Sequence, residues 1–268
     1  MASFSVVSNI ASSNAQTNLQ ATNIGLNKAL TRLSSGFRIN QSGDDAAGLA
    51  VANSYRNDVA IMSQGIRNAN DGLSKLQIKD SALANIAQVL DRMATLATQA
   101  ASTSNGVDIS KLSSEYNTLT AEIDREAAVA EMTVSSSFSV FVSNETTVSN
   151  GAVSGTLGAV EVADLGITQL TFSTAADAQA ALNQIETAIS TLGTVQNTIG
   201  TLQNRLSFAI SLAQSQIVNT QAAESRIRDA NIAEESANMT RYNILSQAGI
   251  ASLAQANQTS SSVLSLLR

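Results

Sequence analysis

Between Asp45 and Ala101 apolar residues recur at Ile66, Ala69, Leu73, Leu76, Leu83, Ala87, Leu90, Ala94, Ala97 and Ala101, with polar Asp80 in the one vacant place. This is the alternating three-four spacing of a helix that buries a continuous seam. A second stripe at Ile86, Val89, Met93 and Leu96 widens the apolar face, so the helix should touch more than one neighbour. No breaker stronger than a single Gly interrupts the run. At 1.5 Å per residue it would extend about 85 Å, which predicts a rod.

A second helix is predicted after the Asn105-Gly106 turn signal, with Asp108 as its cap and Leu112, Tyr116, Leu119, Ile123, Ala127 and Ala130 on one face. It should fold back antiparallel on the first. Far downstream, Ile185, Ala188, Leu192, Val195, Ile199, Leu202, Leu206, Ala209 and Ala213 form the cleanest heptad series in the chain. Together these segments predict a mainly α fold: a long antiparallel helical rod, coiled-coil-like, drawn from both chain halves. Its expected core includes Leu73, Leu76, Leu83, Leu90, Leu192, Ile199, Leu202 and Leu206.

From Met132 to Ser173 the period changes to two. Phe138, Val140 and Val142 alternate with Ser139, Phe141 and Ser143, Asn150-Gly151 lies between Val148 and Val153, and Val160 and Val162 flank Glu161. Two or three short hairpin strands follow from this pattern. The segment is too small for a large separate domain and is placed at the far end of the bundle, where the chain reverses. The expected organisation is a terminal helical domain from 1–44 and 232–268, a rod from 45–131 and 175–231, and a small β-hairpin region over 132–174.

Charge adds what periodicity does not show. Met1 to Asn27 contains no Asp, Glu, Lys or Arg, and neither does Tyr242 to Leu267. Ser8, Asn9, Ser12, Ser13, Asn14, Gln16, Thr17, Asn18 and Gln20 interrupt the first window too often for a membrane span. The first cation, Lys28, comes too late for a cleavable signal. Amphipathic membrane helices usually carry Lys or Arg on their polar face, and these do not. Burial of protein against protein remains, because Ser, Asn and Gln can be satisfied by hydrogen bonds without desolvating a charge.

Composition removes most chemistry. The 268 residues are 44% hydrophobic but only 3% aromatic, with no Pro, Cys or His. Disulfides, thiolate nucleophiles, imidazole bases and the usual zinc ligands are therefore unavailable. No cofactor site is indicated, and an enzyme is not expected. The net charge of −6, without a Lys or Arg cluster, argues against nucleic acid. Asp44 and Asp45 could suggest a divalent cation, but adjacent helical positions diverge and no third ligand is evident. A helix start capped by Ser42 or Asp44 accounts for them better. Glu122, Asp124, Arg125 and Glu126 read as a solvated helix side, and sequons at Asn40, Asn144, Asn238 and Asn257 are too short to carry weight.

The run Leu30-Thr31-Arg32-Leu33-Ser34-Ser35-Gly36-Phe37-Arg38-Ile39-Asn40, followed by Gly43-Asp44-Asp45-Ala46-Ala47-Gly48-Leu49-Ala50, resembles the amino-terminal signature of bacterial flagellins. Ser246-Gln247-Ala248-Gly249-Ile250-Ala251-Ser252-Leu253-Ala254-Gln255-Ala256-Asn257, then Val263-Leu264-Ser265-Leu266-Leu267, is similar to the family's carboxy-terminal helix. The likeness covers roughly Met1 to Glu126 and Ala188 to Arg268.

The resemblance implies a structural subunit that polymerises into the flagellar filament used for swimming. Its two ends would pair as helices lining an inner tube, with Phe4, Val7, Ile10, Ile244, Leu245, Ile250, Leu253, Val263, Leu264 and Leu267 packed there. Arg38, Asn40, Asp44 and Asp45 fall in the connector between inner and outer layers. Implied partners are identical subunits, an export chaperone at the C-terminal helix, the filament cap and hook-junction proteins, with an extracellular location reached without signal cleavage. The interval from Met132 to Ala180 is too short for the outer domains many flagellins carry. Leu90, Arg92, Leu96 and Gln99 match a stretch recognised by host innate receptors, but Ala94 and Thr95 replace its usual charged pair, which implies weakened recognition. A minor hook-associated protein would share the terminal helices. A secretion translocator would need an apolar membrane hairpin that the sequence lacks.

Overall fold

The computed structural model describes residues 9–102, 109–143, 151–169, 172 and 174–266. In chain order the elements are α1 (Ile10–Ser35), α2 (Ala46–Ala101), α3 (Ile109–Val129), β1 (Ser136–Phe141), β2 (Ala152–Leu157), α4 (Ala175–Arg228) and α5 (Ile232–Leu266). The chain divides into two compact units, one of residues 1–57 and 219–268 and one of residues 58–218. The first turns of α2 and the last of α4 thus group with the terminal helices. The signals expected at Asp108 and at Asn105-Gly106 lie outside the described residues, as do Asn144, Val148 and Asn150.

The central unit, 58–218, is built on two heptad seams. On α4 the buried series runs Ala178, Ala181, Ile185, Ala188, Leu192, Val195, Ile199, Leu202, Leu206 and Ala213, with Ala209 partly buried. On α2 it runs Met62, Gly65, Ala69, Gly72, Leu76, Leu83, Ile86, Leu90, Met93, Ala97 and Ala100, with Lys79 partly buried in the remaining place. The periodicity predicts the column Ala69, Leu76, Leu83, Leu90 and Ala97. The second stripe supplies Ile86 and Met93 of the other, which the three-four series places one residue late at Gly65, Gly72, Lys79 and Ala100. Ile66, Leu73, Ala87, Ala94 and Ala101 flank the seam and are only partly buried.

The misplacement has a local cause. A Cβ on Gly65 would lie 2.1 Å from the Val142 carbonyl oxygen, and one on Gly72 would lie 2.7 Å from Val140 and 3.2 Å from Phe138. These glycines form the notch into which β1 is laid, so the seam position holds no side chain. Their absence of hydrophobicity hides them from any apolar count.

The notch also corrects the position of the hairpin. α3 runs antiparallel to α2, with Arg92 paired to Glu115 and Lys79 donating to the carbonyls of Ala130 and Glu131 at 2.6 and 2.9 Å. Beyond α3 the chain continues in the same direction, and β1 covers the stretch of α2 that α3 leaves open. β2 returns antiparallel, with Val140 opposite Val153 and Phe138 opposite Gly155. Gly155 lies against Leu202, and Arg205 donates to the Ser154 carbonyl at 2.9 Å. The hairpin therefore packs alongside α2 and α4 rather than at the end where the chain reverses, because α3 is too short to cover α2 alone.

No third strand forms at Val160 and Val162. Val160 N–H donates to Met132 O at 3.0 Å and Val162 N–H to the Asp124 carboxylate at 3.0 Å, so the backbone is satisfied by α3 and its C-terminal turn instead of by a ladder. Asp124 is thereby structural, while Glu122 and Glu126 pair with Arg125. The return segment brings Phe172 edge-on to Tyr116, ring centroids 5.0 Å apart, and Phe172 N–H donates to Ser113 Oγ. Burial without a hydrogen-bond partner pushes the Tyr116 hydroxyl up to about 12. Thr174 and Asp177 then exchange hydrogen bonds in a capping box that starts α4.

Candidate functional site

The terminal unit, 1–57 and 219–268, is made by α1 and α5. Asn9 caps α1, its side chain accepting from Ser12 N–H at 3.0 Å, and Gly36 ends it in the left-handed conformation, φ 75°. Asn231 Oδ1 accepts from Ala233 N–H at 3.2 Å at the start of α5. Contacts along the pair rise on α1 as they fall on α5: Asn9 Nδ2 donates to Ala256 O, Leu19 meets Gly249, Gly25 meets the Tyr242 ring, and Arg32 pairs with Glu235. The pair is antiparallel. A Cβ on Gly25 would come within 2.6 Å of the ring, so each helix receives a large side chain of the other in a glycine notch.

Threonine hydroxyls in these helices are satisfied locally. Thr17, Thr22 and Thr31 donate to the carbonyls of Ser13, Asn18 and Asn27, and Thr240 donates to Ser236 O. Such side chains can leave water with little penalty, since their donors are already used. Yet the pair covers little of itself. In α1 only Ala29 is buried, and among the described side chains of α5 only Glu235.

The predicted tube-packing residues stand open to solvent in the single chain. Ile10 is 63% exposed, Ile244 61%, Leu245 46% and Ile250 58%, while Leu253 is half-buried. Phe4, Val7 and Leu267, and the side chains of Val263 and Leu264, lie outside the described residues. A groove along α5, lined by Ala233, Ala237, Thr240, Arg241, Ile244 and Leu245, runs through this surface.

The connector is held more tightly than its sequence suggested. Ile39 is buried, Arg38 N–H donates to Arg228 O at 2.7 Å, the Arg38 guanidinium donates to Ile227 O at 2.8 Å, and Ala230 N–H donates to Gly36 O at 2.9 Å. The Arg228 guanidinium stacks 4.1 Å from the Phe37 ring centre. Asp44 does not cap α2. Its carboxylate bonds Lys28 at 2.7 Å and accepts from the N–H groups of Asn40 and Gln41, which together hold it below the usual carboxylate range, with Lys28 the largest cause. The α2 cap is Asp45, which accepts from Gly48 N–H at 2.9 Å, because a cap must precede the donor by three residues. Ser42 and Asp44 sit too early.

Sequence reasoning missed the Arg32–Glu235 pair, 2.9 Å long with Glu235 7% exposed. The available signal was the scarcity of charge in these helices, which leaves few candidates for a pair. Of the expected receptor residues, Arg92 and Gln99 are exposed, but Leu90 and Leu96 are buried in the central core, so they are not part of the surface of the folded unit.

One unit of antiparallel, charge-poor terminal helices clamped to a polar connector, and another that is helical with heptad seams at its core, define a helical structural protein. The bacterial flagellin N-terminal helical region matches residues 6–140 and the bacterial flagellin C-terminal helical region matches residues 182–267. The chain belongs to the bacterial flagellin family. It is 36% identical to a flagellin of Halalkalibacterium halodurans, covering 92% of this chain and 95% of that one. Against the flagellar filament 33 kDa core protein of Treponema phagedenis the identity is 35%, over 95% of this chain and 96% of the other. A flagellin of Bacillus subtilis is 31% identical over 97% and 98%. A crystal structure of Bacillus cereus flagellin aligns with 59% of this chain and 94% of that one, at 29% identity and a TM-score of 0.48.

Proposed function

We infer that this flagellin is the structural subunit of a flagellar filament, and that it polymerises by packing α1 and α5 against the same helices of neighbouring subunits. The observation that carries the packing is the combination of exposed Ile10, Ile244, Leu245 and Ile250 with locally satisfied hydroxyls in nearly uncharged helices. Such a surface is costly in water and inexpensive to bury. Rotation of the filament would supply thrust for swimming, and no reaction is involved.

Several finer expectations belong to the same reading. The protein is exported to the extracellular filament without cleavage of a signal. An export chaperone covers the apolar side of α5 before assembly, and cap and hook-junction proteins meet the filament ends. Residues 1–44 and 232–268 form the inner layer, 45–131 and 175–231 the rod, and 132–174 its hairpin region. A host receptor reading the folded central unit would meet Arg92 and Gln99 without Leu90 and Leu96, and Arg92 is already paired with Glu115.

The test is Ile10→Lys. It places an unpaired cation in the buried layer at a cost on the order of several kcal/mol per subunit. Purified variant is expected to fold its central unit, by circular dichroism and urea unfolding, yet to show no filaments by electron microscopy under conditions where the unmodified protein forms them. Normal filaments from the variant would refute the burial of this face.

A further inference from the structure

Between Gly200 and Gly249 the chain has no glycine, and it has no proline anywhere, so nothing in the local sequence forbids a single helix from α4 into α5. The run Ser225-Arg226-Ile227-Arg228-Asp229-Ala230-Asn231-Ile232 holds only residues that helix interiors tolerate. Yet α4 stops at Arg228 and α5 begins at Ile232. The junction lies within the terminal unit, together with α1 and the connector.

Helical bonding runs as far as Asp229, whose N–H still donates to Ser225 O at 2.9 Å, and resumes with Glu235 N–H on Asn231 O at 3.0 Å. A continuous helix would join the N–H groups of Ala230, Asn231, Ile232 and Ala233 to the carbonyls of Arg226, Ile227, Arg228 and Asp229. Residues 36–38 claim three of those groups. Ala230 N–H goes to Gly36 O at 2.9 Å, Arg228 O accepts from Arg38 N–H at 2.7 Å, and Ile227 O accepts from the Arg38 guanidinium at 2.8 Å. A fourth group, Ala233 N–H, goes to Asn231 Oδ1 at 3.2 Å. The break thus exchanges one set of hydrogen bonds for another, with the Phe37 ring against the Arg228 guanidinium added on the broken side.

We propose that residues 229–231 are a two-state junction set by the connector: with residues 36–38 seated, α4 and α5 are two helices, and with residues 36–38 withdrawn they become one. An equilibrium moves only by contacts that differ between its states. Here the three connector bonds and the ring contact belong to the broken form alone, and the four bonds within the helix belong to the continuous form alone. Because residues 36–38 follow directly on α1, docking of the amino-terminal helix decides the course of the carboxy-terminal one. The device belongs to the single chain and stands whether or not the chain polymerises.

The Cα chemical shifts of Ala230 and Asn231, read in the full unpolymerised chain with alanine and asparagine labelled, separate the two forms, since both residues lie outside the helices only when the junction is broken. Non-helical values at both are expected in the unmodified protein. Arg38→Pro removes the N–H and the guanidinium together and should move both shifts to helical values. Arg38→Ala removes only the guanidinium and should move them part of the way. Adding Ile232→Pro to Arg38→Pro should return Asn231 to its non-helical value, because proline fits the first position of α5, cannot continue α4, and keeps the residue before it out of the helical region.

Helical values in the unmodified protein would overturn the proposal. So would non-helical values at Ala230 and Asn231 in Arg38→Pro with α5 still folded, or a helical Asn231 that survives Ile232→Pro. Where Arg38→Pro unfolds α5, Asn231→Ala decides. It leaves the connector whole, removes the side chain that caps α5 in the broken form, and should bring positions 230 and 231 to helical shifts; unchanged shifts there would overturn the proposal.

Discussion

The two units of this flagellin solve burial in opposite ways. The central unit covers itself: a single cluster from Ala69 to Ala213 buries both heptad seams, the core side of α3, and the hairpin. The terminal unit leaves α1 with one buried residue and exposes Ile10, Ile24, Ile232, Ile244 and Ile250. What makes the first stable is apolar volume packed within one chain, about 25 cal/mol for each Å² removed from water. The second is held by polar contacts at its connector, with its apolar surface unspent. A helix pair that buries so few of its own side chains can be specific without being self-sufficient.

The largest expected effect tests that contrast directly. Leu90→Ala should cost the central unit about 2–5 kcal/mol, read as a lowered urea midpoint, because it opens a cavity in a closed core. Ile250→Ala in the unpolymerised protein should change stability by less than about 0.5 kcal/mol while weakening assembly, since its side chain has no cover to lose. Equal losses in the unpolymerised protein would remove the distinction between the units.

Arg32→Met should cost the terminal unit on the order of 3 kcal/mol, because it leaves the Glu235 carboxylate buried and unpaired. Adding Glu235→Met should recover most of that loss; hydrogen exchange along α1 and α5 would report both changes, and an Arg32→Met protein with unaltered protection would show that the pair is dispensable. Gly65→Ala should cost about 1–3 kcal/mol by pushing β1 off its notch. Chemical-shift changes confined to α2, with none in β1 or β2, would contradict the notch.

The smallest effects lie at opposite ends of the pH scale. The Asp44 carboxyl is held below its ordinary value of 3.8, so it contributes stability above that value and loses it as pH falls through the lower, folded one. Asp44→Asn should therefore weaken the connector at neutral pH and leave the acid limit nearly unchanged. Tyr116 is raised from 10.0 to about 12, so its contribution is complete below pH 10 and disappears as pH rises towards 12. Tyr116→Phe should flatten the alkaline decline of the central unit. Urea midpoints measured across both ranges would check the pair, and a Tyr116→Phe profile parallel to the parent between pH 10 and 12 would refute the second.

Legibility followed the same division. The α4 seam could be read position by position because every place in it is an aliphatic or Ala residue. The α2 seam could be read in one column, since Gly65 and Gly72 are seam positions with no side chain to count and Lys79 is one with a charge. The period-two pattern announced a small hairpin without its pairing, and Val160 and Val162, which have the same pattern, form no strand. Their carbonyl and amide partners come from Met132, Asp124 and Ile167, which no local pattern names. In the terminal unit, composition revealed that the helices were suited to burial, while Arg32–Glu235 and Lys28–Asp44 join residues too far apart in sequence for spacing to link.

Alone, the sequence determined the helical periods, the location of the charge-free ends and the family, because these depend on residue type at fixed intervals along one chain. Tertiary structure decided which side of α2 faces inward, where the hairpin lies, that Asp45 and not Asp44 caps α2, and that Leu90 and Leu96 are core. Each of those outcomes depends on a partner brought in from elsewhere in the chain. A glycine, a lysine or a leucine reads the same in sequence whether a strand, a carbonyl or solvent stands opposite it.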